Sequence, residues 1–433
     1  MWLIKRLTKS TLVRGSLLIF VTNNFINFGN FLYNLLMGRM LGVEKYGDLG
    51  AIVSLGALLG LPLGILNLYA VKTVSAYWGK RDKGSIISFL SYFTPRLFII
   101  GVVICVLLIT SSSFFVRFLG FDSYLPFLLV AVSFILSGPS ILNKAALQGS
   151  LSFSSLTISG LLETVLKLIL SLTLVYLNFQ LVGALLGPLI GGVIVYLFTL
   201  VQLRIILGEK RNKSTFDLKE QLALFMPVFF AFSALTIFFT LDIVLVRHFF
   251  PANLSGEYVA LSTTGKIIYY AVGPVITVMF PLITSRINSG LPYVLPLLGT
   301  LALSLAVSFL IIFIYFFAPK LIIGILYGSH YYGVIPYLGL FSFFITIHTI
   351  NSILTYFLLS VSYNKPMSKL FFTSMLQGIL IYFFHKSIYE VIWVNIIASI
   401  IYLFVVTYYV WKKESIVFLK LLTVIITRSA YER

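Results

Sequence analysis

From Leu97 to Thr110 the chain reads LFIIGVVICVLLIT, without one charged residue, and apolar runs of this kind recur from Ser16 to Val410. About 20 such residues in a helix cross the roughly 30 Å hydrocarbon core of a bilayer. Charged residues make up only 10% of the 433, against about 25% in soluble domains. So few charges cannot clothe a soluble surface, which excludes a soluble enzyme, a disordered chain and a collagen-like one. Strands of a membrane barrel alternate polar and apolar over about 10 residues, whereas these runs are apolar on every side. The fold class expected is all-α, a polytopic membrane protein.

Twelve spans are predicted: Ser16–Met37, Asp48–Val71, Phe89–Thr110, Tyr124–Asn143, Ser155–Leu177, Leu181–Leu203, Gln221–Val246, Glu257–Ile283, Val294–Phe317, Tyr332–Leu359, Leu370–Phe384 and Val391–Val410. The first run is too long for the apolar part of a signal peptide and carries several Asn, so it reads as a retained helix. The final SIVFLKLLTVIITRS is too short to span comfortably and reads as a surface helix or a frayed tail.

The 31 Lys and Arg against 13 Asp and Glu would suggest nucleic acid in a soluble protein. Here they sit in short loops. With a cytoplasmic N-terminus, 22 of them fall on the cytoplasmic side and 6 on the other, with Arg96, Lys167 and Lys266 inside spans. The positive-inside rule then puts both termini in the cytoplasm of a cell-membrane protein. One cysteine, Cys105, allows no internal disulfide and no thiolate cluster; it reads as a small buried hydrophobe. No Gly-rich phosphate loop and no nucleophile–base set is visible. An enzyme, a cofactor and a nucleotide-driven pump are therefore not expected.

The longest link, Arg204–Glu220, divides the chain into expected lobes 1–210 and 211–433. A weak repeat supports the cut. LLMGRMLGVEKYGDLGAI follows the first span and IVLVRHFFPANLSGEYVAL the seventh. Each carries an Arg (Arg39, Arg247), a short loop, and Gly plus an acid (Gly47-Asp48, Gly256-Glu257) opening the next helix, where a carboxylate suits the dipole.

NFLYNLLMGRMLGVEKYGDLGAI, with LDIVLVRHFFPANLSGEYVALSTTGKIIYYAVGPVITVMFPLI in the second half, resembles the polysaccharide transporter branch of the multidrug/oligosaccharidyl-lipid/polysaccharide (MOP) flippase superfamily. These are the Wzx-like O-unit flippases. The resemblance covers about Gly15–Ile87 and Gln221–Ile283. It implies two six-helix lobes around a central cavity. It also implies a polyprenyl-pyrophosphate-linked oligosaccharide as substrate, membrane lipids and polysaccharide-biosynthesis enzymes as partners, and alternating access. Lipid II flippases of the superfamily carry cations in the first, second and eighth helices. Lys266 matches the eighth, but the middle of the first helix holds Asn here.

Intramembrane polar residues are the candidate site, because they are costly against lipid. Asn23, Asn27, Asn30 and Asn34 fall in a stripe about 60° wide; their amides suit sugar hydroxyls, and helix packing is an equal alternative. Ser233, Thr236, Thr240 and Arg247, then Lys266, Tyr270, Gly273 and Thr277, then His348, Asn351, Thr355 and Ser362, form further stripes, in which the Ser and Thr read as packing contacts. Tyr270 offers a ring for a sugar face. Lys266 is the first candidate for pyrophosphate. Glu163 and Lys167, four apart, can pair on one helix or form a charged wall. Asp242 and His348 are the coupling candidates, with Asp242 also a partner for Lys266. Arg39 and Arg247 complete the substrate-site candidates, and Arg96 snorkels. Pro62, Pro139, Pro188, Pro227 and Pro274 mark bends. A cation-coupled multidrug exporter would need more intramembrane acids than Glu163 and Asp242. A membrane glycosyl polymerase or ligase would need a large outer loop, and a scaffold would not need mid-membrane lysines.

Overall fold

The computed structural model describes residues 11–208 and 218–431, with side chains over 21–208 and 225–414 apart from 288. Lys5, Arg6, Lys9, Lys210, Arg211, Lys213 and Arg433, counted above for orientation, lie outside the described residues. The described residues are helical, with no strand. The helices are α1 (Thr11–Leu59), α2 (Leu61–Gly79), α3 (Lys83–Thr110), α4 (Ser112–Leu119), α5 (Leu125–Gly149), α6 (Phe153–Leu174), α7 (Gln180–Leu207), α8 (Leu218–Phe249), α9 (Ala252–Gly265), α10 (Ile267–Asn288), α11 (Val294–Phe317), α12 (Pro319–Leu326), α13 (Ile335–Ser360), α14 (Met367–Phe383) and α15 (Ile388–Tyr431).

Helix length and backbone breaks together give the crossings. The 49 residues of α1 would run roughly 70 Å, twice the hydrocarbon thickness. Gly42 divides them: its φ of 75° is left-handed, open to glycine without a Cβ penalty. The part after Gly42 continues into α2 across a 48° bend. Pro62 stands at this bend, as expected, in the first turn of α2, where its missing N–H costs nothing. Helices α6 and α7 reverse through a π turn, Val175–Phe179, with Asn178 at φ 69° and Gln180 at φ 47°. They then pack along each other. Counting α1 as two crossings, with α2 completing the second and α9–α10 as one, the described residues make the twelve crossings that hydropathy predicts. Large apolar side chains on α3 and α11 stay outside the protein core, Leu107 60% and Phe309 72% exposed. That surface suits lipid.

The eighth span holds: α9 and α10 join through the single residue Lys266, whose backbone stays right-handed helical, into one apolar stretch, Ala252–Ile287. One expectation changes. The C-terminal segment is neither a separate surface helix nor a frayed tail: α15 runs unbroken to Tyr431.

The chain forms two compact units. The first comprises Met1–Phe229, Ile243–Thr263 and Lys320–Ile335; the second comprises Phe230–Asp242, Thr264–Pro319 and Pro336–Arg433. The first unit thus takes in two stretches of the expected second lobe. Specific contacts within it hold them. The buried Arg247 donates from Nε to Asp48 Oδ1 at 2.9 Å and from Nη2 to the Gly120 carbonyl at 2.8 Å. Tyr331 donates to the Gly38 carbonyl at 2.7 Å. The glycines of the two repeat copies meet, since a Cβ on Gly256 would stand 1.8 Å from the Val43 carbonyl oxygen.

Candidate functional site

In the first unit the polar centre is built on three helices that approach through glycines. A Cβ on Gly29 would lie 2.3 Å from Thr164 Cγ2, and one on Gly160 would lie 2.6 Å from Ile26 Cδ1. The Thr164 and Ile26 side chains therefore fill the places where Cβ atoms would stand, and α1 and α6 pack closely. On the other side of α6, a Cβ on Gly187 of α7 would clash with Ser171 Oγ at 2.0 Å. These approaches bring Lys167 of α6 against the Asn stripe of α1. Its ammonium donates to Asn30 Oδ1 and sits 4.7 Å from the centroid of the Tyr33 ring. Tyr33 is fixed in turn by donating to the Ala184 carbonyl at 2.9 Å. Asn34 donates to the Asn30 carbonyl at 2.9 Å, so part of its amide serves the helix itself. Asn23 and Asn27 are exposed, whereas Asn30 and Asn34 are half-buried.

Glu163 does not make its salt bridge to Lys167. It pairs with Lys144 of α5, their side chains 41% and 25% exposed. Lys167 remains within the electrostatic reach of Glu163, but its hydrogen bond goes to a neutral amide. The reason is geometric: Lys144 approaches the carboxylate from a facing helix, while Lys167 is turned toward α1.

Arg39 and Arg247 are engaged by protein. Arg39 donates from Nε to the Leu326 carbonyl at 2.9 Å, and its Nη2 reaches the Ile325 carbonyl. It thereby caps α12, whose terminal carbonyls attract a cation. Arg247 serves the buried Asp48. Arg96 lies on its own helix, donating to the Tyr92 carbonyl, with the guanidinium 3.5 Å from the Tyr92 ring centroid.

In the second unit Lys266 is only 6% exposed and Asp242 is fully buried. The ammonium stands 4.4 Å from the Phe239 ring centroid and interacts electrostatically with Asp242. Asn395 Nδ2 lies 3.4 Å from Asp242 Oδ2, and Gln377 donates to Asn395 Oδ1 at 2.9 Å. His348, 1% exposed, is ringed by Phe238, Phe239, Tyr269 and Phe344. His348, Asn351 and Thr355 of the α13 stripe are buried in protein, while Ser362 lies exposed beyond the end of α13. Asn351 donates to the Ser399 carbonyl at 2.9 Å and Thr355 pairs with Tyr402 at 3.0 Å, both buried against α15. Tyr270 stays 40% exposed.

Sequence reasoning did not single out Lys144, Tyr33, Asp48, Asn395 or Gln377 as site residues. Lys144 is one of the 22 basic residues on the expected cytoplasmic side, and nothing in the local sequence ties it to Glu163, 19 residues on.

A family model described as "Polysaccharide biosynthesis protein" matches residues 36–336. The chain belongs to this family. No curated protein matches it. Among solved structures it is similar to an inward-facing multidrug resistance MATE family transporter of the MOP superfamily. That match has a TM-score of 0.73 and 15% identity, covering 90% of this chain and 95% of the other. It is also similar to the lipid II flippase MurJ in an inward closed conformation, with a TM-score of 0.70 and 16% identity, covering 90% and 87%. A MOP superfamily transporter from Pyrococcus furiosus matches at a TM-score of 0.55 and 16% identity, covering 94% and 96%. The chain is a multi-pass membrane protein with the MOP fold.

Proposed function

We propose that this protein is a flippase that moves a polyprenyl-pyrophosphate-linked oligosaccharide from the cytoplasmic to the outer leaflet of the cell membrane. It works by alternating access, as a transporter rather than an enzyme, with both termini in the cytoplasm. The observation that carries the reading is Lys167. It is a cation deep in a membrane helix, hydrogen-bonded to the neutral Asn30 while the nearby carboxylate is engaged by Lys144. A membrane cation held this way retains attraction for an anion, and the Asn stripe beside it offers donors and acceptors for sugar hydroxyls. The polysaccharide family and the likeness to a lipid II flippase support the same substrate class. In the second unit, Asp242 and His348 are the candidates for ion coupling, and Lys266 neutralises Asp242. Tyr270 stacks on sugar. An exporter of cationic drugs would present an uncompensated acid to its cavity, whereas Glu163 is taken by Lys144 and Asp242 is fully buried beside an amide.

The test is flipping of a lipid-linked oligosaccharide in proteoliposomes, read as its accessibility to an added lectin. Wild type should flip it, and Lys167→Ala should lose at least tenfold in rate at matched protein level. Extrusion of cationic dyes without oligosaccharide flipping would overturn the reading in favour of a multidrug exporter.

A further inference from the structure

Lys144, Glu163 and Lys167 form a ladder of alternating charge on α5 and α6. Lys144 lies five residues before the end of α5 at Gly149, and α6 begins at Phe153, across a short link. Glu163 is ten residues into α6 and Lys167 fourteen. At about 1.5 Å per residue, the ladder descends from roughly 8 Å inside that end of the helices to roughly 20 Å, near mid-membrane. One carboxylate serves two ammoniums. It is bound to Lys144 and stands about one turn, roughly 6 Å, from Lys167 in the favourable i,i+4 order. The Lys144 and Glu163 side chains are part exposed, so the site is reachable, and Lys167 lies at its inner end beside Asn30.

We propose that Glu163 is an exchangeable counter-ion that selects a diphosphate over a monophosphate; this rests on the flippase reading above. A single phosphoryl group reaching Lys167 leaves Glu163 on Lys144 and sets a second anion one turn from it. A diphosphate supplies two phosphoryl groups and can compensate both ammoniums, so it offsets the cost of displacing Glu163 from Lys144. The displaced carboxylate turns toward the more exposed end of the ladder. The lysines attract any anion, and the carboxylate raises the threshold to those with two phosphoryl groups. Repulsion used in this way is a recognised route to specificity.

The experiment uses the full chain in nanodiscs, with farnesyl diphosphate and farnesyl monophosphate as probes and binding read by microscale thermophoresis. Wild type should bind the diphosphate at least tenfold more tightly. Glu163→Gln should strengthen monophosphate binding about tenfold and bring the ratio of the two affinities below about threefold. Lys144→Met frees Glu163 to pair with Lys167 and should weaken both probes at least tenfold. Lys144→Met with Glu163→Gln should regain monophosphate binding without regaining the preference, and it removes both members of the ion pair should either single variant be unstable. An unchanged ratio in Glu163→Gln, or in the double variant where the single one does not fold, overturns the proposal. Wild type that flips lipid-linked oligosaccharide but shows no preference between the probes overturns the selectivity alone. Wild type that neither flips the oligosaccharide nor binds either probe overturns the flippase reading itself.

Discussion

Neutralising Lys266 and Asp242 singly and together separates a structural ion pair from a substrate contact. Lys266 is 6% exposed and Asp242 fully buried. The surroundings of the ammonium are the Phe239 ring, 4.4 Å away, and the neighbouring His348 and Tyr269. Little there but Asp242 carries compensating charge. Removing one member of such a pair leaves the other buried and uncompensated, at a cost of about 3–5 kcal/mol. At about 1.4 kcal/mol per tenfold, Lys266→Met and Asp242→Asn should each lower the folded-to-unfolded ratio by roughly two to three and a half orders of magnitude. That is a large share of a typical margin of about 5–15 kcal/mol. The double variant strands neither charge, and the amide can still meet Asn395. It should unfold close to wild type, giving a coupling energy above about 2 kcal/mol. The measurement is thermal unfolding in detergent, followed by intrinsic fluorescence, together with membrane protein level. Losses that simply add, with coupling below about 0.5 kcal/mol, would refute the pairing. Oligosaccharide flipping at matched level then assigns the role. A stable double variant that still flips makes Lys266 a structural partner of Asp242. A stable one that does not makes it a substrate contact.

Gly256→Ala places a Cβ 1.8 Å from a backbone carbonyl that cannot rotate away, so unfolding in detergent should show a loss of about 3 kcal/mol. Gly64→Ala, in open space on α2, should gain about 0.5–1 kcal/mol from helix propensity. Orientation is checked with single cysteines at the exposed Lys80 and Asn253: a membrane-impermeant maleimide added to whole cells should label Asn253→Cys and spare Lys80→Cys, and the reverse would invert the topology. Asn27→Cys should react with a small charged thiosulfonate, and Met37→Cys, fully buried, should not; inertness of both would assign the stripe to lipid or packing.

The crossings were legible because a bilayer fixes one length and one polarity for every helix, and both are written locally. Runs such as 97–110 need no tertiary information. The breaks were legible only in part. Gly42 lies in the loop expected between the first two spans, and its left-handed φ is a property glycine advertises. Gly265 carries no such signal: a Cβ there would stand 2.5 Å from Phe341, a contact 76 residues distant in sequence. The same limit explains α13. Asn351 and Thr355 have the spacing of a polar face whether that face meets water or α15, and the choice lies with Ser399 and Tyr402 on the other helix.

Charge pairing shows the limit most clearly, since a local rule and a tertiary one compete there. Four residues apart in the right order, Glu163 and Lys167 satisfy the helix rule, which is worth only about 0.2–0.5 kcal/mol. A hydrogen bond to a charged group contributes about 1.5–3 kcal/mol, so any facing helix that offers one outbids the local pair. Two helices do so at once: α5 brings Lys144 to the carboxylate, and α1 brings Asn30 to the ammonium. Gly29 and Gly160 ease that approach, since the side chains of Thr164 and Ile26 occupy the places where their Cβ atoms would stand. The stripe of Asn and the lysine were each visible in the sequence as costs that something must offset. That they offset one another depends on how α1 and α6 face each other, and the two glycines at that contact give no polar signal; their meaning appears only when the facing helix is known.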